Sequence, residues 1–260
     1  MILRRLSQSL KDQNWMAIAI EFVLLVLGVF LGIQVSNWNS ERENRQKAAV
    51  FTERLKDDLR AESWRYQFLL AYYRDVRDAT EAAANALSGK APLSNEALLI
   101  NAYRATQYKQ GAARRATYDE LISTGNIGLI EDRKLLGLAV RAYSIATIDN
   151  TVREGNESAY RALFRMTVSN DVQRALARQC GDRYILPGDY RGFDHIIDYP
   201  CSIGLPEADM DAAADALRAD PQALRFLRLR VADLETRLAD LTGNNRDVLD
   251  GFVEIAREQP

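Results

Sequence analysis

Between Met16 and Ile33 the chain runs MAIAIEFVLLVLGVFLGI, eighteen residues with a single charge, Glu21. A helix needs roughly twenty apolar residues to cross a hydrocarbon core of about 30 Å, so this run constrains everything that follows. Trp15 and Trp38 bracket it. At about 1.5 Å rise per residue the two rings stand roughly 35 Å apart, which suits the two headgroup layers. The run therefore predicts a transmembrane helix over 15–38. A helix buried in a soluble domain would need protein on every face, and the polar flanks do not suggest one. A cleaved signal peptide fits worse, because the apolar stretch is too long and Gln34, Val35, Ser36 and Asn37 offer no small-x-small cleavage site. A retained signal anchor is expected.

The first fourteen residues read as an amphipathic juxtamembrane segment. Ile2, Leu3, Leu6 and Leu10 share a helical face, and Arg4, Arg5 and Lys11 supply positive charge. Within the span, steps of three and four residues return to one side of a helix, so Glu21, Leu25, Gly28, Gly32 and Asn39 form one stripe. Gly28 and Gly32 have the spacing that lets a second helix approach closely. A carboxyl group inside a bilayer faces protein or water rather than lipid. Glu21, Gly28 and Gly32 are accordingly expected to form a helix-association face and the chain to be a homo-oligomer. Against this stands the chance that Glu21, six residues beyond Trp15, simply reaches the headgroups.

Basic residues flank the span on both sides, so the positive-inside rule does not orient it. The two cysteines, Cys180 and Cys201, bracket the turn-rich and aromatic segment GDRYILPGDYRGFDHIIDYP. An irregular loop of that length is uncommon in a compact domain unless something clamps it. A disulfide would do so, and disulfides persist in oxidising compartments. The expectation is an N-terminus in the cytoplasm and a C-terminal domain in the periplasm of a bacterial inner membrane. The competing reading is two free thiols in a cytosolic domain.

Residues 39–260 are expected to form a soluble helical domain with a cysteine-bracketed loop at 180–201. The fold class is all-α: one transmembrane helix continuing into a helical bundle with coiled-coil-like packing. From Asn39 to Leu87 no proline or glycine interrupts the chain, and Phe51, Leu55, Leu59, Trp64, Phe68, Tyr72 and Val76 recur at helical spacing. One long helix ending near Gly89 follows, with Ser94 or Asn95 capping the next. Thr117 to Glu120 has the capping-box pattern, and Gly125 suits a helix end. From about Glu131 a heptad places Leu135, Ala142, Asp149, Asn156 and Leu163 in one row, and Leu138, Ile145, Val152, Ala159 and Met166 in the other. A short helix follows the cysteine loop. Asp220-Pro221 then opens a last heptad, with Leu224, Val231, Leu238, Asn245 and Phe252 in one row and Leu227, Leu234, Leu241, Val248 and Ile255 in the other. Asp149, Asn156 and Asn245 are expected to form a polar layer of the bundle. A ligand site within the bundle is the sharper alternative.

Signals of chemistry are sparse. A net charge of −2 and a pI near 5.7 argue against nucleic-acid binding. Two cysteines and the single His195 are too few for the usual zinc site. No Gly-rich phosphate loop, G-x-S-x-G or H-E-x-x-H is present. A thiol–imidazole pair of Cys180 and His195 would compete with the disulfide for the same sulfur. No catalytic residue, metal or cofactor is therefore assigned. Tyr184, Tyr190, Phe193 and Tyr199 in the loop suit a partner surface, since aromatics anchor interfaces. Packing back onto the bundle would use them equally well.

Two stretches, Asn14–Arg42 and Thr117–Tyr143, resemble a family of uncharacterised bacterial single-pass membrane proteins. Its recurring features are an N-W start, an early acidic residue, a G-V-F-x-G-x-Q run, a W-N exit and a later T-Y-x-E-L-x-x-x-G-x-x-x-L-I segment. The resemblance implies membrane placement and adds no catalytic residue. It does not extend to the cysteine loop or the last helix. The combined expectation is a non-enzymatic, bitopic protein whose domain self-associates and scaffolds other envelope proteins. The alternative is a small-ligand sensor that passes its signal to a partner.

Overall fold

The computed structural model of the chain describes residues 15–109 and 111–257. The proposed juxtamembrane segment at 1–14 lies outside them. The described residues contain helices and turns and no strand. The first element, α1, runs unbroken from Trp15 to Leu87. Its 73 residues extend about 110 Å at 1.5 Å per residue. Gly89, with φ +74°, turns the chain out of it, and Gly125, with φ +70°, ends a later helix in the same left-handed way.

Nine shorter α-helices follow among the described residues: α2 (Asn95–Arg104), α3 (Ala116–Ser123), α4 (Arg133–Tyr143), α5 (Thr147–Asn156), α6 (Ala159–Thr167), α7 (Asn170–Gln179), α8 (Glu207–Ala219), α9 (Ala223–Ala239) and α10 (Arg246–Arg257). The distal half of α1 is their spine. Its buried residues Leu55, Leu59, Tyr66, Leu69, Tyr73 and Val76 meet α3, α4, α10 and the cysteine loop in one apolar core. Ala83 and Ala84, near its end, meet α2, α6, α7 and α8 in a second. Helix α9 joins both, contributing Leu227 to the distal core and Leu234 to the proximal one.

Polar contacts fix the same arrangement. The Tyr66 hydroxyl donates to the Leu241 carbonyl at 2.8 Å, and Ser63 Oγ donates to the Phe252 carbonyl at 2.9 Å. Glu62, only 3% exposed, pairs with Arg65 and accepts the Arg114 backbone N–H at 3.1 Å. A buried charge is tolerable only when so matched.

Three sequence expectations need correction. The heptad over 135–166 does not form one rod; the segment breaks into α4, α5, α6 and the turns between them. The breaks follow Tyr143 and Asn156; at the first, Ser144 Oγ donates to the Val140 carbonyl at 2.6 Å, a local bond that competes with helix continuation. Met166 is consequently 81% exposed. The last heptad is likewise interrupted by a π-turn over Asp240–Asn244. Its Leu227 row stays buried throughout, while Leu224, Val231 and Leu238 of the other row are half-buried. The capping box is also absent. Thr117 sits inside the first turn of α3, and its N–H donates to Asp58 Oδ2 at 2.9 Å, so a carboxylate on α1 caps this helix from a distance. Glu120 pairs with Arg54 instead. The expected cap at Ser94 is present: Ser94 Oγ accepts from the Ala97 N–H at 3.1 Å.

An Asp58→Ala substitution should therefore destabilise the domain by about 1 kcal/mol, as loss of a helix cap does. Thr117→Val, which retains the backbone N–H, should not reproduce that loss of the cap. Chemical denaturation of the two variants checks this.

Candidate functional site

The cysteine loop is an ordered structure. Cys180 and Cys201 form a disulfide with Cα atoms 5.5 Å apart. That bond occupies the sulfur a Cys180–His195 pair would have needed. Arg104 of α2 is buried beneath the loop's exit. It donates to the Tyr199 carbonyl at 2.6 Å and pairs with Asp198 at 3.3 Å. Burial pushes its pKa down and Asp198 opposes the shift. The Tyr199 ring lies under the guanidinium of Arg183 at 3.7 Å, and its hydroxyl donates to the Gly181 carbonyl at 2.7 Å. Ile196 and Ile197 are fully buried in the proximal core.

The four loop aromatics therefore divide. Tyr199 and Phe193 pack inward, Phe193 against Trp64 and Phe68 of α1 with ring centroids 5.8 and 5.9 Å away. Tyr184, 81% exposed, and Tyr190 stand outward. Between these two tyrosines and α1 lies a cleft of about 480 Å³. Trp64, Phe68 and Ile185 give it an apolar surface; Arg60, Arg65, Lys109 and Arg114 bring positive charge to it, and no acidic residue among the described ones lines it. Lys109 Nζ is held by Asp182 at 3.1 Å, and Asp182 also accepts from the Tyr72 hydroxyl at 3.1 Å. Burial, reinforced by the Asp182 charge, pushes the Tyr72 phenol well up.

Sequence reasoning did not find this cleft. Its walls come from positions near 64, 110 and 187, and no local pattern records that the fold brings them together. The aromatic loop is the partial signal; no sequence pattern marks Lys109 or Arg114.

The expected polar layer does not exist. Asp149 and Asn156 are exposed on α5, because the chain turns before and after that short helix. Asn245 is half-buried and ends the π-turn, its side-chain amide donating to the Asp240 carbonyl at 2.9 Å. A buried polar residue between the two cores is Arg230, which donates to the Gln107 carbonyl at 3.2 Å. Burial lowers its pKa, opposed by the nearby Asp233 carboxylate.

Glu21, Gly28 and Gly32 lie on a wholly exposed part of α1. From Ala19 to Lys47 every residue is exposed, and a Cβ added at Gly28 or Gly32 meets nothing within 4 Å. This is one candidate membrane span, judged by length and apolarity.

A family model described as a family of unknown function, DUF6090, matches residues 21–143. The match covers all of the second stretch on which the resemblance rested and most of the first. No curated protein and no solved structure matches the chain.

The disulfide closes a 21-residue separation, so Cys180→Ser with Cys201→Ser should cost about 3 kcal/mol by the loop-entropy relation. Denaturant unfolding with and without reductant checks this on the parent chain. A second expectation concerns Asp75, whose carboxyl is pushed up to about 6 by burial, with the nearby Asp198 charge adding to it. A carboxyl whose pKa rises on folding contributes stability at low pH, and that contribution is lost as pH rises through about 6. Asp75→Asn should therefore raise the melting temperature more at pH 7.5 than at pH 5. An equal change at both would contradict the assignment.

Proposed function

We propose that this is a non-enzymatic, bitopic membrane protein of a bacterial inner membrane, with its helical domain in the periplasm. In this reading it self-associates through the spanning helix and holds other envelope proteins. The observation that carries it is the division of α1. Its first part is apolar and is covered by none of the described residues, while its second part is the spine of both cores. So much exposed apolar surface on one helix must be covered by lipid or by another helix. Glu21, Gly28 and Gly32 share the stripe on which small side chains permit close approach. The disulfide favours an oxidising compartment for the domain.

Continuity adds a mechanical consequence. Between the apolar segment and the domain, α1 carries Glu41–Arg45 and Glu43–Lys47 pairs at helical spacing. Such pairs support an exposed helix in water. Association inside the bilayer would therefore set the spacing of two domains outside it. The sensor reading keeps one observation in its favour, the cleft built directly on this helix.

Gly28→Leu combined with Gly32→Leu should abolish crosslinked dimers and higher oligomers in native membranes, while the domain retains its melting temperature. Undiminished crosslinking would sink the association face. Alkylation of single cysteines placed at exposed positions such as Tyr184, by a membrane-impermeant reagent on intact spheroplasts, tests the orientation.

A further inference from the structure

From the chemistry of the cleft we infer a binding site for a small amphipathic organic anion: a flat apolar body carrying one carboxylate, sulfonate or phosphate group. This goes beyond the scaffold reading and stands without it. The volume, about 480 Å³, is in the range of small-molecule sites, and such sites combine an apolar lining with a few placed polar groups. Trp64 and Phe68 stack with ring centroids 5.1 Å apart and nearly parallel planes. They offer a rigid aromatic surface, and Tyr184 and Tyr190 stand opposite on the loop.

The charge is one-signed at the lining, and its disposition selects the ligand. Arg65 is committed, pairing with Glu62 and donating to the Gly111 carbonyl at 3.3 Å. Arg60 is paired with Asp57 at 2.8 Å. Lys109 is held by one carboxylate, and an ammonium has three donors. The Arg114 guanidinium has no carboxylate within ion-pair distance among the described residues, although the Arg114 backbone is fixed by Glu62 and by the Tyr143 hydroxyl. The cleft thus holds two cations with donors to spare on a preformed apolar surface. A neutral aromatic would leave Arg114 uncompensated, and a cation would be repelled.

The loop also makes the site dependent on the disulfide. Its entry and exit are joined by Cys180–Cys201, and Phe193 anchors its middle on Trp64. Both walls are therefore held before a ligand arrives, which lowers the ordering cost of binding.

The test uses the full chain in dodecyl maltoside with Trp15→Phe and Trp38→Phe, leaving Trp64 as the single tryptophan of the original three. Naphthalene-2-sulfonate is titrated while Trp64 emission is followed, with 2-naphthylmethanol and 2-naphthylmethylammonium as neutral and cationic counterparts. Saturable quenching by the sulfonate is expected, with the two counterparts much weaker. Arg114→Gln and Lys109→Met should each weaken sulfonate binding about tenfold, the loss of one charge-assisted hydrogen bond. Tyr184→Ser should weaken all three probes. Arg114 and Tyr184 are exposed, and their variants should keep the parent melting temperature; if Lys109→Met does not, Arg114→Glu takes its place. Quenching that does not saturate, equal affinity for the three probes, or indifference to Arg114→Gln overturns the site. So does an affinity that falls as protein concentration rises, which would mean that a second copy fills the cleft.

Discussion

The uninterrupted backbone hydrogen bonding of α1 is the constraint on which the rest depends. From Trp15 to Leu87 nothing breaks the ladder. Gly28 and Gly32 are tolerated within it, and no proline occurs. Isolated helices are marginal in water, but this one is supported along its distal half by two apolar cores. Each later helix is short, so most of their burial is against α1, α9 or one another across these. Helices so brief have little stability of their own. Loss of contact with the spine would leave α3 without a reason to be helical, and loss of α9 would do the same to α5 and α6.

The two cores are joined by more than apolar contact. Arg230 on α9, Arg104 on α2 and Glu62 on α1 are buried or nearly so, and each is met by a specific partner. Such groups contribute more to a unique arrangement than to net stability, because desolvation offsets much of their attraction. Arg104 also ties α2 to the cysteine loop, and the Tyr72 hydroxyl ties the spine to it through Asp182. Arg104 holds the loop's exit, the disulfide closes it, and the two buried isoleucines seat it. The cleft is a by-product of that tethering: a rigid loop held off a rigid helix leaves a space between them.

The family match takes in both the candidate span and one wall of the cleft. The matched residues 21–143 run from the apolar segment through α3 and α4. They include Trp64, Lys109 and Arg114, but not the loop that forms the opposite wall.

What the sequence determined by itself is whatever a short periodic window records. The apolar run, the breaker-free stretch to Leu87, the glycines at 89 and 125, the cap at Ser94 and the cysteine pairing were all legible, because each rests on residues within a few turns or on a count of two. Tertiary structure decided the rest. The heptad through Asp149 and Asn156 is broken because packing of α5 and α6 against α9 outweighs a continuous seam. Asp58 replaced a local cap because α3 docks beside it. Arg230 is buried, though periodicity marks its neighbours Leu227 and Leu234. Lys109 and Arg114 face a cleft only because the loop over 184–190 closes against Trp64. Hydrophobic spacing tells a segment which face to bury; it carries no record of which distant side chain will lie across from it.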